Sequence, residues 1–400
     1  MSGFFSYNFI VNRWELYERR KKMRVYFDYA GTCPMDGDTI REMGRVMGQY
    51  AGNPSSVYLE GQQAARLVQQ SREKIASAID GSFKNLFFTG SGTESACQAI
   101  FSAAMAGASK GKKHLIASAI EHACVIRTLE ALTLWGFEFT LIPVDNQGLL
   151  QIAQLEKAIT NETCLVSVML VNNEVGSIQD VGKIQGICAK RKVLFHCDGT
   201  QAIPHQKVSM KEGDFDYFSF SAHKFGGPKG MGCLYVKDHV PLSPLLYGGK
   251  QERGMRAGTE NVPGIVGCAY ALGKRVEQME SFQSHLNKMH IYFCERIKQI
   301  KGARIISPSQ GVPGIINVAF RGIVNNQMVL LMDQAGIAIS NGSACEAGAI
   351  EMSHVLLAMG LERTTVKEAV RFSFGAQNTL EEVKMALDVI EQIVERMSNE

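Results

Sequence analysis

The stretch from Asn85 to about Val236 alternates between short apolar runs and longer segments of helical periodicity. The apolar runs are nearly continuous, which is typical of strands buried on both faces of a parallel sheet. The segments between them predict covering helices with right-handed crossovers. The predicted strands are residues 86–89, 114–118, 137–142, 165–171, 193–198, 215–220 and 232–236, and the predicted helices are residues 93–106, 121–134, 152–159 and 182–190.

After about residue 263 the pattern changes to long helical segments with few strands. A helical stretch runs to Gln299, and residues 314–320 predict a strand. Thr379 and Glu382 have the spacing of a capping box at the start of the last helix. The apolar stripe of that helix is typical of core and not of a cofactor site; it consists of Val383, Leu387, Ile390, Val394 and Met397.

These patterns predict an α/β protein with two domains. Residues 25–262 form a large domain with a mostly parallel sheet that helices cover on both faces. Residues 263–400 form a smaller α+β C-terminal domain, and residues 25–40 are a candidate to pack with it.

Residues 1–24 differ in composition from the rest of the chain. Six basic residues between Arg13 and Arg24 are interrupted by Glu15 and Glu18. A signal peptide places its basic residues before an apolar segment, and a mitochondrial transit peptide is poor in acidic residues, so neither pattern fits. We expect a loosely ordered N-terminal extension, with Met23 as an alternative start.

Composition and charge argue against several classes of protein. The 400 residues carry a formal net charge of +3, too balanced to indicate a nucleic-acid or membrane-surface partner. No apolar run approaches the roughly 18–20 residues that span a bilayer. The ten cysteines include no C-x-x-C pair, and a chain this long is not a small disulfide framework. We expect a cytoplasmic protein with mostly reduced, buried cysteines and no metal site.

A glycine-containing turn follows the first predicted strand of the sheet. Gly90, Gly92 and Thr93 lie between that strand and a helix, where close backbone approach and free N–H groups suit a phosphate. The turn lacks the sequence of a P-loop or of a dinucleotide fingerprint. A plain strand-to-helix turn is the alternative.

Lys224 follows the predicted strand at residues 215–220, with Ser221 and His223 just before it. A buried amine is easily deprotonated and can form a Schiff base. The serine and the histidine could donate to the same phosphate as Thr93. On residue type alone, an exposed loop lysine is the commoner case.

Two further strands also end in polar residues. Asp198 ends the strand at residues 193–198 and could serve as a fixed anion beside a protonated pyridine ring. A metal held by His196 and Asp198 is the alternative, but two neighbouring ligands do not make a site. Asn173 follows the strand at residues 165–171 and places an amide at the mouth of the same crevice.

His122 and Arg371 complete the set of candidates. His122 follows the strand at residues 114–118, although such a histidine is most often a helix cap or a core residue. Arg371 could bind a carboxylate through two N–H groups or form an ordinary salt bridge. Ligands of α/β sheets bind beyond the carboxyl ends of the strands. A phosphate turn, a lysine, an aspartate, an asparagine and a histidine after successive strands together describe a pyridoxal-phosphate site.

The motifs of nearly the whole chain after Met23 resemble those of one enzyme family. The sequence is similar to the cysteine desulfurases of the NifS/IscS type, within the class V aminotransferase family of fold type I pyridoxal-phosphate enzymes. The similarity runs from the YFDY segment at residues 26–29 to the RFSFG segment at residues 371–375. The most specific motifs are residues 52–56, 221–224, 253–261 and 342–345.

The resemblance implies that pyridoxal 5′-phosphate is the cofactor. It implies that Lys224 binds the cofactor as a Schiff base and later carries a proton to and from the substrate Cα. Asp198 would pair with the pyridinium nitrogen, Gln201 would bond the ring hydroxyl, and His122 would stack on the ring and could act as acid or base. The phosphate ligands would be Gly92, Thr93, Ser221 and His223, joined by Thr259 from the other subunit of a homodimer.

The resemblance also implies the reaction and its nucleophile. Asn173 and Arg371 would orient the carboxylate of L-cysteine, and Cys345 would take the substrate sulfur as a persulfide and leave alanine. A protein acceptor of iron–sulfur assembly or tRNA thiolation would receive the sulfur. Taken alone, Cys345 would more often be a buried structural cysteine, but the small residues around it favour an exposed, mobile loop.

Three departures from the family pattern and three alternatives qualify the resemblance. Residues 31–34 read GTCP where the family has ATTP, and Tyr58 replaces a histidine. Glu346 stands where Thr or Ser is usual, and its carboxylate should disfavour the Cys345 thiolate. The alternatives are a selenocysteine lyase, another class V aminotransferase-type enzyme with an inert Cys345, and a non-enzymatic scaffold. The retention of Lys224 and Asp198 together with Cys345 argues against the scaffold.

Overall fold

The computed structural model describes residues 24–342 and 352–398. Cys345, Glu346 and the N-terminal extension up to Met23 lie outside the described residues. Among the described helices, none combines the length and the apolar character needed to cross a membrane. The nine described cysteines are free thiols, and Cys33, Cys97, Cys124 and Cys294 are only partly buried.

The strands of the described residues form one large sheet and two small ones. They are β1 (Val25–Tyr26), β2 (Leu86–Thr89), β3 (His114–Ser118), β4 (Glu138–Ile142), β5 (Thr163–Met169), β6 (Leu194–Asp198), β7 (Tyr217–Ser221), β8 (Gly232–Val236), β9 (Ala303–Ile305), β10 (Ile315–Phe320), β11 (Ile337–Ala338) and β12 (Ala369–Ser373). The large sheet has the strand order β2-β8-β7-β6-β5-β3-β4, and the smaller ones have the orders β12-β10-β9 and β1-β11. Every residue of β5 and of β7 is buried, as expected for strands covered on both faces.

The helices alternate with the strands of the large sheet and then dominate the C-terminal part. The predicted alternation is confirmed, with the helix bounds shifted by one or two residues. The helices are α1 (Gly37–Gln49), α2 (Leu59–Ala78), α3 (Gly92–Ala108), α4 (Ala123–Thr133), α5 (Ile152–Ala158), α6 (Val181–Arg191), α7 (Ala202–His205), α8 (Met210–Gly213), α9 (Val262–Glu277), α10 (Met279–Ile297), α11 (Asn325–Gln334), α12 (His354–Ala358), α13 (Arg363–Glu368) and α14 (Leu380–Ser398).

One strand of the large sheet runs against the others. β8 is antiparallel to both β2 and β7, while β3, β4, β5, β6 and β7 are parallel to their neighbours within that group. Only a short 3-10 turn (Ala222–Lys224) and a loop separate β7 from β8. A parallel return needs a crossover of a dozen or more residues. The strand at residues 232–236 was predicted from its apolar run. Its antiparallel direction follows instead from the short connection to β7.

The C-terminal part has a core of its own. β10 lies between β12 and β9 in an antiparallel sheet, and α10 and α14 pack together beside it. The predicted capping box of α14 is present, because Glu382 N–H donates to Thr379 Oγ1 (3.2 Å) and Thr379 N–H donates to Glu382 Oε2 (2.9 Å). Val25 and Phe27 belong to the same core, and β1 pairs with β11. The chain thus begins its described part against the C-terminal elements.

A buried ion pair forms hydrogen bonds with the backbone of β2, the edge strand of the large sheet. Glu252 accepts hydrogen bonds from both Arg72 Nη groups (2.8 and 2.5 Å) and from Phe88 N–H (2.8 Å). Arg72 also donates to the Leu86 carbonyl. The Glu252 side chain is 2% exposed. Its carboxylate therefore satisfies an edge-strand N–H group that no neighbouring strand can reach.

We expect Glu252→Ala to lower the free energy of unfolding by about 3–5 kcal/mol, because it leaves the Arg72 charge buried without an ionic partner. The measurement is the midpoint of urea unfolding. Glu73→Ala, which removes an exposed carboxylate from α2, is the matched control and should change the midpoint little. Equal midpoints for Glu252→Ala and the wild type would contradict this role.

Candidate active site

A cavity of about 220 Å³ opens at the carboxyl edge of the large sheet. It lies where β3, β5, β6 and β7 end, as expected for a parallel sheet. Except for Thr259 and Cys345, the predicted site residues all line it. They are Gly92, Thr93, His122, Asn173, Asp198, Gln201, Ser221, His223, Lys224 and Arg371.

The carboxyl group of Glu121 joins the ends of β3 and β5, which lie side by side in the sheet. Its Oε1 accepts from the Ser118 hydroxyl and from Met169 N–H, at 2.8 Å from the latter. Its Oε2 is buried and has no hydrogen-bond partner among the described residues. Burial raises the pKa of Glu121 to about 8, with the nearby Asp198 carboxylate as a further cause. Glu121 is therefore a neutral acid below that pH.

We predict that Glu121 makes the protein less stable as pH rises. In the unfolded chain the carboxyl releases its proton near its ordinary pKa of 4.5, whereas in the folded protein it holds the proton up to about pH 8. Stability present below pH 4.5 is therefore lost progressively up to about pH 8. Glu121→Gln removes this titration, so the variant should gain on the order of a few kcal/mol relative to wild type between pH 5 and pH 8. Urea unfolding at both pH values measures the gain. Glu156→Gln, on the surface, should show none.

His122 follows Glu121 directly and has two local roles. It is the N-cap of α4, where its Nδ1 accepts from Cys124 N–H at 3.2 Å. Its ring also lines the cavity. The helix-cap interpretation and the site interpretation of this histidine are therefore compatible.

The turn after β2 is shaped for close approach by a ligand. Ser91 is the N-cap of α3 and accepts from Glu94 N–H at 3.1 Å. A Cβ at Gly92 would lie 3.1 Å from Ser221 Cβ and 3.3 Å from Thr200 Oγ1, so a larger residue would crowd the turn. Gly92 and Thr93 begin α3, which places the unpaired N–H groups of the helix at the cavity.

Lys224 enters the cavity from the turn that follows β7. Its Nζ donates to the carbonyl oxygens of Ala30 (2.7 Å) and Gly31 (2.8 Å). The neighbouring His223 has its Nδ1 3.1 Å from Thr32 Oγ1. Burial, together with the charges of Lys224 and Lys229, lowers the pKa of His223 to about 4. His223 is thus a neutral ring near pH 7.

Asp198 lies at the end of β6 and is 6% exposed. Its Oδ1 accepts from Thr200 N–H at 2.9 Å. His196, two residues earlier, has its Nδ1 2.8 Å from Ser167 Oγ and its Nε2 2.9 Å from Ser219 Oγ. Burial lowers the pKa of His196 to about 4. The ring is therefore engaged by two hydroxyl groups inside the sheet, which disfavours the metal interpretation of the His-x-Asp sequence.

Arg371 projects from β12, so the C-terminal sheet contributes to the cavity. The residue is 2% exposed, and its guanidinium donates to Asp28 Oδ1 (2.6 Å) and to the Asn173 carbonyl (2.8 Å). Its Nε is buried and has no hydrogen-bond partner among the described residues. A buried guanidinium with an unsatisfied donor is suited to a carboxylate ligand.

These residues fit pyridoxal 5′-phosphate. The α3 N-terminus offers donors for a phosphate, and Gly92 leaves room for it. An amine and a carboxylate line the same cavity, as a Schiff-base linkage and a pyridinium partner require. Gln201, the predicted partner of the ring hydroxyl, also lines it and donates through Nε2 to the Ala30 carbonyl at 2.8 Å.

Sequence reasoning assigned no individual role to the residues that reach the cavity from the start of the described chain. Ala30 and Gly31 accept from Lys224, and Asp28 pairs with Arg371. Each of these contacts joins residues more than 190 positions apart. One signal in the sequence could have indicated the contact between Asp28 and Arg371. Both residues lie in motifs that match the family, and a buried arginine needs an anionic partner.

Two predicted site residues are not in the cavity as described. Thr259 is exposed and does not line it. Cys345 lies outside the described residues, although Gly342, the last residue before that gap, lines the cavity.

Comparisons with known proteins agree with the fold. The model of the family described as aminotransferase class-V matches residues 25–385. A cysteine desulfurase IscS of Methanosarcina thermophila is 38% identical over 94% of this chain and 93% of its own length. A cysteine desulfurase IscS of Dictyoglomus turgidum is 36% identical over 94% of this chain and 96% of its own length. The solved structure of a NifS-like protein is 37% identical, with a TM-score of 0.88 over 93% of this chain and all of that one. The chain belongs to the aminotransferase class-V family, as a member of the NifS/IscS type.

Proposed function

We propose that the protein is a pyridoxal-phosphate-dependent cysteine desulfurase. The observation that carries the proposal is the convergence of Lys224, Asp198 and Arg371 on one cavity beside the α3 N-terminus. The similarity to proteins named cysteine desulfurase over nearly the whole chain supports it.

The cofactor would be held by residues that already line the cavity. When bound, pyridoxal phosphate supplies an electron sink that makes the Cα proton and then the Cβ–Sγ bond of the substrate labile. Asp198 would pair its carboxylate with the ring nitrogen, and His122 would cover the ring. The proposed phosphate ligands are Gly92, Thr93, Ser221 and His223.

The substrate would be oriented by its carboxylate. Arg371 offers a buried N–H group that has no partner among the described residues. Asn173 lies beside Arg371, because its backbone carbonyl accepts a hydrogen bond from the guanidinium. Lys224 lines the same cavity, and its amine would hold the proton taken from Cα. Arg371 and Lys224 together would fix the side of the substrate from which the proton leaves.

Cys345 is proposed as the sulfur acceptor within the chain. Its thiolate attacks the substrate sulfur, so that an S–S bond forms as the Cβ–Sγ bond breaks. The electron pair of the broken bond stays with the carbon fragment, which takes up a proton and leaves as alanine. The persulfide sulfur then passes to a protein acceptor of iron–sulfur assembly or tRNA thiolation.

The free thiols of the described residues fit the reducing cytoplasm as the place of action.

The proposal includes a homodimer in which Thr259 reaches the phosphate of the other subunit. Thr259 is exposed and does not line the cavity of its own subunit, and the consecutive residues Val57, Tyr58 and Leu59 are 87%, 55% and 63% exposed. Three adjacent exposed apolar residues are typical of an interface.

We expect a dimer at micromolar concentration and a monomer for Val57→Asp, because a charge in an apolar interface is costly. Sedimentation velocity measures both. Ile291→Asp, at another exposed apolar position, should leave the dimer intact. A monomeric wild type would contradict the proposal of a dimer without affecting the proposed chemistry.

The experiment that tests the function compares products from L-cysteine and L-selenocysteine. We expect wild type to release alanine from L-cysteine and Cys345→Ala to release little. If Cys345→Ala releases alanine from L-selenocysteine alone as fast as wild type, and wild type ignores L-cysteine, the protein is a selenocysteine lyase instead.

A further inference from the structure

A carboxylate lies against the turn to which the phosphate is assigned. Glu94 is in the first turn of α3, and its Oε2 accepts from Gly90 N–H at 2.7 Å. A Cβ at Gly90 would lie 2.7 Å from that oxygen, so the side chain folds back directly over the turn. Gly92 and Thr93 of the same turn line the cavity.

This carboxylate has opposing effects on the helix and on the ligand. A negative charge in the first turn stabilises the helix N-terminus. The same charge repels an incoming phosphate dianion, and it competes for the positive end of the α3 dipole. A phosphate site with an unneutralised Glu94 would therefore be weakened by its own turn.

Arg256 neutralises this charge from a distant part of the chain. Its Nε donates to Glu94 Oε1 (2.9 Å) and its Nη2 to Glu94 Oε2 (3.4 Å). The two side chains are 26% and 19% exposed, so water screens the pair only partly. The hydrogen bond to Glu94 raises the pKa of Arg256. A Cβ at Gly90 would also lie 3.4 Å from Arg256 Nη2, which shows how closely both charged groups approach the turn.

The backbone around Arg256 is held in place by other residues. The buried side chain of Gln98 in α3 donates to the Met255 carbonyl at 2.8 Å. Four residues before Arg256, Glu252 forms the buried ion pair with Arg72. Arg256 itself does not line the cavity. It can act on a bound phosphate only through Glu94 and the turn.

We propose that Arg256 is a positioning residue that adapts the turn at residues 89–93 to a phosphate dianion by neutralising Glu94. The ligand is the phosphate group of the cofactor in the proposed function, on which this inference rests. The pair keeps the N-cap geometry of α3 and removes the repulsion that Glu94 alone would exert.

The test is a double-mutant cycle on cofactor affinity, read from visible absorbance during titration of the apoprotein with pyridoxal phosphate. We expect Arg256→Gln to weaken cofactor binding about tenfold, because the Glu94 charge is no longer neutralised. Glu94→Gln should tighten cofactor binding about threefold, because the positive charge of Arg256 then remains beside the turn. The double variant should return to within about threefold of wild type. Competition by inorganic phosphate gives the affinity of each variant for phosphate alone. This affinity should fall in Arg256→Gln, rise in Glu94→Gln and return towards the wild-type value in the double variant.

The controls separate charge from structure. Arg127→Gln breaks the exposed Arg127–Glu130 pair on α4 and should leave affinity unchanged. A double variant as weak as Arg256→Gln, or a Glu94→Gln variant weaker than wild type, would overturn the inference and leave the proposed function standing. Wild type that takes up no pyridoxal phosphate would overturn both. If Arg256→Gln does not fold, the Glu94→Gln result alone decides.

Discussion

Lys224→Ala should abolish alanine formation from L-cysteine, with a loss on the order of a thousandfold or more, since both cofactor linkage and proton transfer depend on its amine. The amine lies in the cavity, where the carbonyl oxygens of Ala30 and Gly31 orient it. No other described lysine lines this cavity, so none is placed to replace it.

The measurement pairs the rate of alanine release with the visible absorbance of the dialysed protein. Wild type should keep its absorbance, and Lys224→Ala should lose it on dialysis because its cofactor is held only by non-covalent contacts. Lys190→Ala, which removes an exposed lysine in the last turn of α6, should behave as wild type. Retained alanine release by Lys224→Ala would rule out its assigned role.

Asp198→Asn should lower the rate of alanine release by about 10²–10³-fold while cofactor binding persists. The substitution keeps the shape of the side chain, and its carbonyl oxygen can still accept from Thr200 N–H, as Asp198 Oδ1 does at 2.9 Å. What it removes is the negative charge that favours a protonated ring nitrogen. The loss should therefore appear in turnover more than in affinity.

Rates at saturating L-cysteine and cofactor titrations separate these two effects. Asp238→Asn, which removes an exposed carboxylate next to β8, is the matched control and should leave both unchanged. A variant Asp198→Asn with full turnover would show that Asp198 does not act on the ring.

The sequence predicted those parts of the fold that depend on local patterns. Near-continuous apolar runs identified the strands, because a strand buried on both faces has no polar side to show. The capping box at Thr379 and Glu382 was also predictable from a local pattern, since both partners lie within one helical turn. The direction of β8 was not predictable from its own residues, because it depends on the length of the connection from β7.

The meeting of polar residues at one cavity was predictable where they follow strands of one sheet, as Asp198 and Lys224 do. Contacts between distant parts of the chain were not. Asp28 meets Arg371 only because β1 and β12 bring the two ends of the described chain together. The neutral Glu121 was also hidden, because its state depends on complete burial and on the neighbouring Asp198.

The most direct test of the central claim is mass spectrometry of the Cys345 peptide after the protein with bound pyridoxal phosphate is mixed with one equivalent of L-cysteine. The account predicts one added sulfur atom on Cys345 and one alanine released per subunit, both absent in Lys224→Ala. Alanine release with Cys345 unmodified, or no reaction in wild type with bound cofactor, would contradict it.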